Sequence, residues 1–160
     1  MSIVFNPIGI IHSPFTQKEN MPIQTSGGEG IKGHIEIFPE YIDGLRDLDE
    51  LSHIFLIYQF HLSEGCDLLC EPFLDDKKHG VFAVRAPRRP NQIGLSIVRL
   101  IDIKGGILNI EDMDIIDGTP LIDIKPYIPK IDCRKAERIG WSKDKAKNFN
   151  IAKSDGRFGK

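Results

Sequence analysis

The sequence has few of the residues that would stabilise the chain by disulfides or anchor it in a membrane. Only three of its 160 residues are cysteines, an odd and low number that argues against a disulfide framework and fits a reducing compartment. No apolar run approaches the roughly 18 residues that span a bilayer. The N-terminus also lacks the basic and apolar stretches of a secretory signal. We therefore expect a soluble, cytoplasmic protein.

The overall composition is that of one globular domain. Hydrophobic residues make up 41% of the chain, charged residues 28%, and the formal net charge is −2, which excludes a mainly disordered or collagenous chain. The charge is uneven, because residues 134–160 carry a net +6 and the first 133 residues a net −8. Such a tail suggests a polyanionic partner or a solvated segment. We predict one domain over residues 1–133 and a basic tail over 134–160 that is partly helical or disordered.

Patterns typical of strands dominate the first 133 residues. Residues 33–38 alternate apolar and polar side chains, and residues 53–61 are almost continuously apolar, which predicts a strand buried on both faces. Further strands are predicted over residues 3–12, 81–84, 95–103, 107–116 and 121–124. One helix is predicted over residues 39–51 from the spacing of its apolar residues. Many short strands, ten prolines and 15 glycines predict a mainly β single domain, a barrel or sandwich with one or two short helices.

Residues 85–96 combine three arginines with two prolines. Because proline restricts the backbone and removes an N–H donor, this segment cannot be a regular central strand. We predict a rigid loop whose arginines present forked donors to a carboxylate or phosphate. The alternative is an ordinary solvated basic loop.

Residues 112–127 contain four aspartates and the turn sequence Asp-Gly-Thr-Pro at 117–120. A tight turn of this kind exposes backbone N–H and C=O groups that could contact the edge of a purine. Taken alone, an ordinary turn with acidic flanks is the more common case. Nearby, the long loop before residue 30 is glycine-rich but lacks the flanking strand and helix of a dinucleotide or phosphate-binding motif.

A zinc site is a further alternative. His61, Cys66, Cys70 and His79 are residue types that bind zinc, but their spacing matches no common zinc finger. Free cysteines are the more common case, so we expect no metal site.

Five segments, in this order along the chain, resemble the TsaA-like family, the TrmO-type tRNA adenine-N6 methyltransferases: residues 8–15, 44–55, 80–85, 89–96 and 117–127. Together they cover roughly residues 3–129. The resemblance implies a β-barrel, a homodimer, and S-adenosylmethionine as methyl donor. It also implies tRNA as substrate, methylated on N6 of a threonylcarbamoyl-adenosine next to the anticodon.

The same resemblance implies a set of donor-binding positions. They lie on the long loop before residue 30, which we call the first loop, at the end of the apolar strand, on the loop of residues 85–96, which we call the arginine loop, and at the turn of residues 117–120, which we call the acidic turn. The positions are Pro22, Ile23, Gln24, His61, Leu62, Arg85, Leu95, Asp117, Gly118, Thr119 and Pro120. The absence of a glycine-rich strand–loop–helix unit agrees with a donor site of this non-Rossmann kind.

Chemical reasoning adds candidates for catalysis and for RNA binding. Adenine N6 is a weak nucleophile, so a group must accept its proton; Asp114 and Tyr127 are our candidates. Phosphate contacts are expected from five basic residues, namely Arg88, Arg89, Lys143, Lys145 and Lys147. Because the sequence shows no obvious catalytic base, a non-enzymatic sensor that binds S-adenosylmethionine or a nucleotide stays the alternative.

Overall fold

Six antiparallel strands form a closed barrel in the computed structural model, which describes residues 1–158. The strands are β1 (Gly9–His12), β2 (Gly33–Ile37), β3 (His53–Gln59), β6 (Ile93–Lys104), β7 (Ile107–Glu111) and β8 (Thr119–Pro126), and they pair in the order β1-β2-β7-β6-β3-β8. Pairing of β8 with β1, Gly9 opposite Leu121, closes the barrel. Two short strands, β4 (Leu69–Cys70) and β5 (His79–Gly80), form a separate pair. The predicted mainly β barrel is therefore confirmed.

The core fills the barrel interior. On β3 the buried residues Ile54, Leu56 and Tyr58 alternate with partly exposed neighbours, so the prediction of a strand buried on both faces is wrong. A strand in a closed barrel has one inner face and one outer face, and the outer face of β3 also carries apolar residues. Gly94 lies opposite Tyr58 on β6, where an added Cβ atom would overlap the tyrosine ring.

The helical content is lower than predicted. The predicted helix over residues 39–51 is two 3₁₀ segments, Pro39–Leu45 and Leu48–Glu50, separated where Asp47 has a left-handed φ of 65°. Residues 81–84 are also not a strand but contain a 3₁₀ turn, Val81–Ala83. Val81 and Val84 both face a small second core, which a three-residue spacing permits in a 3₁₀ turn but not in a strand.

The boundaries of other elements also differ from the predictions. The first strand begins at Gly9 rather than at residue 3, and β7 ends at Glu111 because Asp112 has a left-handed φ of 70°. Beyond β8 lie the helix α1 (Pro129–Asp132) and 3₁₀ turns at Gly140–Ser142, Ala146–Asn148 and Gly156–Phe158. Positions 159 and 160 of the predicted tail lie outside the described residues. Among residues 1–158, no helix has the length and apolar character needed to cross a membrane.

The C-terminal segment, which is residues 134–158 of the described chain, lies against loops beside the barrel. Trp141 and Phe158 pack on the second core of Cys70, Val81, Val84 and Ala86. Ser154 donates its hydroxyl to the Lys18 carbonyl at 2.6 Å and accepts from the Met21 backbone N–H at 3.1 Å. A backbone bridge also joins Pro22 to Lys153. These contacts fix the long first loop to the end of the chain.

Candidate active site

A narrow cavity of about 140 Å³, which we call the barrel-end cavity, opens where β3 ends and β8 begins. Its lining includes the following residues: Lys18, Met21, Pro22, Ile23, Tyr58, Phe60, His61, Leu62, Ser63, Phe73, Arg85, Pro87, Asp114, Ile115, Ile116, Thr119, Ser154, Asp155 and Phe158. Six of the eleven predicted donor-binding residues are among them, although they lie far apart in the sequence. The barrel closure therefore brings these predicted residues together.

Two residues of the cavity lining, Tyr58 and Asp114, are joined by hydrogen bonds through the buried Ser96. Ser96 donates its hydroxyl hydrogen to Oδ1 of Asp114 at 2.7 Å, and the Tyr58 hydroxyl lies 3.0 Å from Ser96 Oγ. Since a serine hydroxyl has one hydrogen, Tyr58 is the donor to Ser96 when Asp114 is ionised. Of these three residues Asp114 is partly exposed, whereas Tyr58 and Ser96 are buried.

Burial changes the proton affinity of both Asp114 and Tyr58. It raises the pKa of Asp114 from 3.8 to about 6, although the hydrogen bond from Ser96 and the positive charge of Arg85 act in the opposite direction. Burial also raises the pKa of Tyr58 well above its usual range, with a further contribution from the charge of Asp114. Asp114 is thus ionised at neutral pH and is a much better proton acceptor than a solvated carboxylate.

His61 presents a neutral imidazole to the cavity. Partial burial lowers its pKa, as does Lys18, while Asp117 opposes the shift. The Thr119 hydroxyl donates to the Ile116 carbonyl at 2.6 Å, so it accepts from Nδ1–H of His61 at 3.3 Å. This assigns the hydrogen to Nδ1 and leaves the Nε2 lone pair available to a ligand.

The three arginines of the predicted loop have different surroundings. Arg85 is exposed and donates to Oε1 of Gln24 at 2.7 Å, which joins the arginine loop to the first loop. Arg88 pairs with Asp67 at 2.6 Å. Arg89 donates to two backbone carbonyls of its own loop, at 3.1 and 3.2 Å. Arg85 is therefore the arginine whose position suits a small ligand in the cavity, whereas the other two order the loop.

The acidic turn is mainly a structural connection to β1. Oδ1 of Asp117 accepts from the Ser13 backbone N–H at 3.1 Å and lies 3.2 Å from Nδ1 of His12. Gly118 has a φ of 76°, which favours glycine. Pro120 pairs with Ile10 on β1. Of the four residues predicted at this turn, only Thr119 lines the cavity.

Two further residues predicted for the site, Leu95 and Tyr127, do not line the barrel-end cavity. Leu95 is 55% exposed and pairs with Ile57. Tyr127 packs edge-on against Phe55 at 5.4 Å, and its backbone N–H bonds to the carbonyl of His53, at the start of β3. Asp114 lies near the other end of β3, so the structure does not bring the two catalytic candidates together.

The predicted RNA-binding lysines lie on the docked C-terminal segment. Lys143 and Lys147 are exposed, whereas Lys145 forms an ion pair of 2.6 Å with the largely buried carboxylate of Asp75. His79 lies 3.0 Å from the same carboxylate. Lys145 therefore helps to hold the segment against the connection between β4 and β5.

The residues of the zinc alternative do not form a cluster. Across residues 1–158, no three or more His, Cys, Asp or Glu side chains are grouped so as to hold a metal ion. Cys66 is exposed while Cys70 is in the second core, which fits ordinary free cysteines.

Several residues of the site were not identified from the sequence. Tyr58 lies within an apolar run, and only its inward position in the strand alternation could have marked it. Asp155 and Phe158 line the cavity from a segment that composition marks only as basic. Their positions depend on how the C-terminal segment folds back.

Comparison with known proteins identifies the family of the chain. The family model described as the tRNA-methyltransferase O N-terminal domain matches residues 10–133. The chain belongs to this family. A probable S-adenosyl-L-methionine-binding protein of Pyrococcus abyssi is 53% identical over 158 residues, covering 99% of this chain and 86% of the relative. The mouse tRNA (adenine(37)-N6)-methyltransferase is 36% identical over 138 residues, covering 82% of this chain and 32% of that protein.

Solved structures of the tRNA-methyltransferase O family show the same fold. A crystal structure of TrmO from Pseudomonas aeruginosa superimposes with a TM-score of 0.74 at 36% sequence identity. The match covers 88% of this chain and 63% of that one. The chain therefore spans less than two thirds of the TrmO chain and about a third of the mouse enzyme.

Proposed function

We propose that the protein is an S-adenosylmethionine-dependent methyltransferase acting on N6 of a threonylcarbamoyl-adenosine next to the tRNA anticodon. The observation that carries the proposal is Asp114, a carboxylate whose pKa is raised to about 6, in a cavity with six predicted donor-binding residues. Family membership and the names of the relatives support it.

The chemistry of the cavity lining fits the donor. S-adenosylmethionine combines a carboxylate with a cationic amine and sulfonium. The lining includes two cations, Lys18 and Arg85, and two carboxylates, Asp114 and Asp155, so both signs of charge have partners. Apolar side chains such as Phe60 complete the lining and exclude water. Arg85, already oriented by Gln24, is the residue we assign to the donor carboxylate.

When bound, S-adenosylmethionine supplies an electrophilic methyl group. Asp114 would accept the proton that the adenine N6 loses when it takes this methyl group. Ser96 donates to the carboxylate oxygen that is not used, at 2.7 Å, and Tyr58 in turn donates to Ser96 at 3.0 Å. The protein's contribution is thus positioning, exclusion of water and acceptance of one proton.

A sensor without enzymatic activity is the second candidate, because the Pyrococcus relative is named only as a probable binding protein. The two are separated by incubating methyl-labelled donor with tRNA that carries threonylcarbamoyl-adenosine and with tRNA that lacks it. The proposal expects label only in the modified tRNA. Label in neither, with donor binding retained in calorimetry, would favour the sensor.

Arg85→Ala tests the donor site directly. Loss of a charge-assisted pair to the donor carboxylate should weaken donor binding by about 1.5–3 kcal/mol, measured by calorimetry. Arg99→Ala is the matched control, because Arg99 is also exposed on the barrel but lies opposite His53, at the far end of β3. Equal donor affinity in the two variants would contradict the role of Arg85.

The homodimer and the cytoplasmic location stay predictions. Sedimentation velocity would measure the oligomeric state.

A further inference from the structure

A second cavity, which we call the aromatic cavity, lies beside the barrel-end cavity and measures about 740 Å³. It is lined by the first loop, by residues 72–74, by the segment that leads into the arginine loop and by the C-terminal segment. Four residues line both cavities, Ile23, Phe73, Arg85 and Phe158, so the two are adjacent. Its volume is in the range of sites that bind small ligands, and the function proposed above does not yet use it.

The lining is rich in aromatic side chains. Trp141, Phe149, Phe82 and Phe158 all contribute. Phe82 is 80% exposed, so burial in a core does not explain it. Proteins that bind single-stranded RNA bases stack them on aromatic rings and arginine planes, and Arg85 is part of the same lining.

Trp141 is held in a fixed orientation. Its Nε1–H donates to the Ala83 carbonyl at 2.8 Å, and its ring stacks on His79 with centroids 5.2 Å apart. His79 is in turn hydrogen-bonded to Asp75, which also pairs with Lys145. A ring fixed in this way loses little further freedom when a base stacks on it.

The segment that lines the cavity also carries exposed positive charge. Lys143 and Lys147 follow Trp141 on the segment that lines it, and both are exposed. Basic residues beside an aromatic cavity suit a nucleotide chain, because phosphates need cations while the base needs a stacking surface.

We propose that the aromatic cavity receives the acceptor base of the RNA, turned out of its strand, while the methyl-bearing part of the donor lies in the barrel-end cavity. This inference rests on the function proposed above. An enzyme that reacts with a base atom must take the base out of the stack and hold it in a pocket. The base then reaches the boundary of the two cavities, where the residues that line both bring its N6 towards the donor methyl group and Asp114, which lines the barrel-end side.

Trp141 is the only tryptophan in the chain, so its fluorescence reports on this cavity alone. The protein is titrated with an anticodon stem-loop RNA bearing threonylcarbamoyl-adenosine. It is also titrated with the same RNA carrying an abasic site at that position, and with S-adenosylmethionine alone. We expect strong quenching only by the RNA with the base. Equal quenching by both RNAs would overturn the inference. Quenching by S-adenosylmethionine alone would do the same, since it would put the donor in the aromatic cavity.

Phe82→Ala gives a second test that does not disturb the core. Loss of one stacking ring should raise the KM for RNA roughly 5- to 100-fold and leave the donor Kd unchanged. Phe5→Ala is the matched control, because Phe5 is also exposed, at 56%, but lines neither cavity. An unchanged KM for Phe82→Ala would count against the inference.

The two proposals fail in different ways. If label reaches modified tRNA but neither the base-dependent quenching nor the Phe82→Ala effect is seen, the aromatic cavity is wrongly assigned and the methyltransferase stands. If quenching depends on the base but no label is transferred to any tRNA, the base-binding assignment is supported and the proposed enzymatic function is wrong.

Discussion

Replacing Asp114 with asparagine should stabilise the protein while removing its activity. Burial raises the pKa of this carboxyl from 3.8 to about 6. Between these two pH values the unfolded chain has released the proton and the folded chain still holds it. Folding is therefore favoured by acid in this window, and the contribution of Asp114 to stability falls as pH rises from about 4 to 7.

The size of the effect follows from the same shift. A difference of about two pKa units corresponds to about 3 kcal/mol once the carboxyl is ionised in both states. Asparagine carries no charge at any pH and can accept the hydrogen bond from Ser96 with its amide oxygen. Asp114→Asn should therefore exceed the wild type in unfolding free energy by about 0.5 kcal/mol at pH 4, about 1.5 at pH 5 and about 3 at pH 7.5.

Urea unfolding at these three pH values measures the difference, and methyl transfer to tRNA is measured on the same samples. Loss of the proton acceptor should lower kcat by about 100-fold or more. In the wild type, kcat should rise with pH through about 6 and then level off, because only the ionised carboxylate accepts a proton.

The control is Asp49→Asn, because Asp49 is an exposed aspartate on a 3₁₀ turn. It should change the unfolding free energy by less than about 0.5 kcal/mol at every pH. If Asp114→Asn is no more stable than the wild type at pH 7.5, burial does not oppose the charge as argued. If it keeps kcat within a few-fold, Asp114 is not the proton acceptor.

Three further predictions concern neighbouring features. Ser96→Ala removes a hydrogen bond that lowers the pKa of Asp114, so the rise in kcat should move to higher pH; an unmoved profile would exclude this link. Gly94→Ala places a methyl group against the buried Tyr58 ring, so the unfolding free energy measured in urea should fall by about 2 kcal/mol or more. A smaller fall would show that the ring can shift. Lys143→Glu should weaken tRNA binding and reduce its salt dependence; filter binding at two salt concentrations checks this, and an unchanged slope would remove Lys143 from the RNA contacts.

Local sequence patterns were enough to predict most of the barrel. The strand over residues 33–38 was predicted within one residue of β2, because alternation of apolar and polar side chains reflects the two faces of a sheet directly. Residues 81–84 were predicted wrongly, since an apolar run that short fits a strand or a 3₁₀ turn equally well. The run at 53–61 was placed correctly, but burial on both faces was not, because local pattern does not show how a sheet closes.

The parts of the candidate site were visible in the sequence as separate segments. The arginine loop and the acidic turn were marked by proline, glycine and charge, which act locally. The different roles of the arginines could not be seen in the sequence, because they depend on which partners the fold supplies. Arg85 lines the cavity, whereas Arg88 pairs with Asp67.

The sequence by itself determined most of the barrel strands, the acidic turn and the family, because these depend on neighbouring residues and on motifs. Only the tertiary structure decided which carboxylate has a raised pKa. Tyr58, Ser96 and Asp114 are separated by 38 and 18 residues and meet because β3 and β6 pair within a closed barrel. Tyr127, equally plausible in the sequence, lies at the other end of β3. Proximity and burial are properties of the closed fold, and they set the proton affinity on which the proposed chemistry depends.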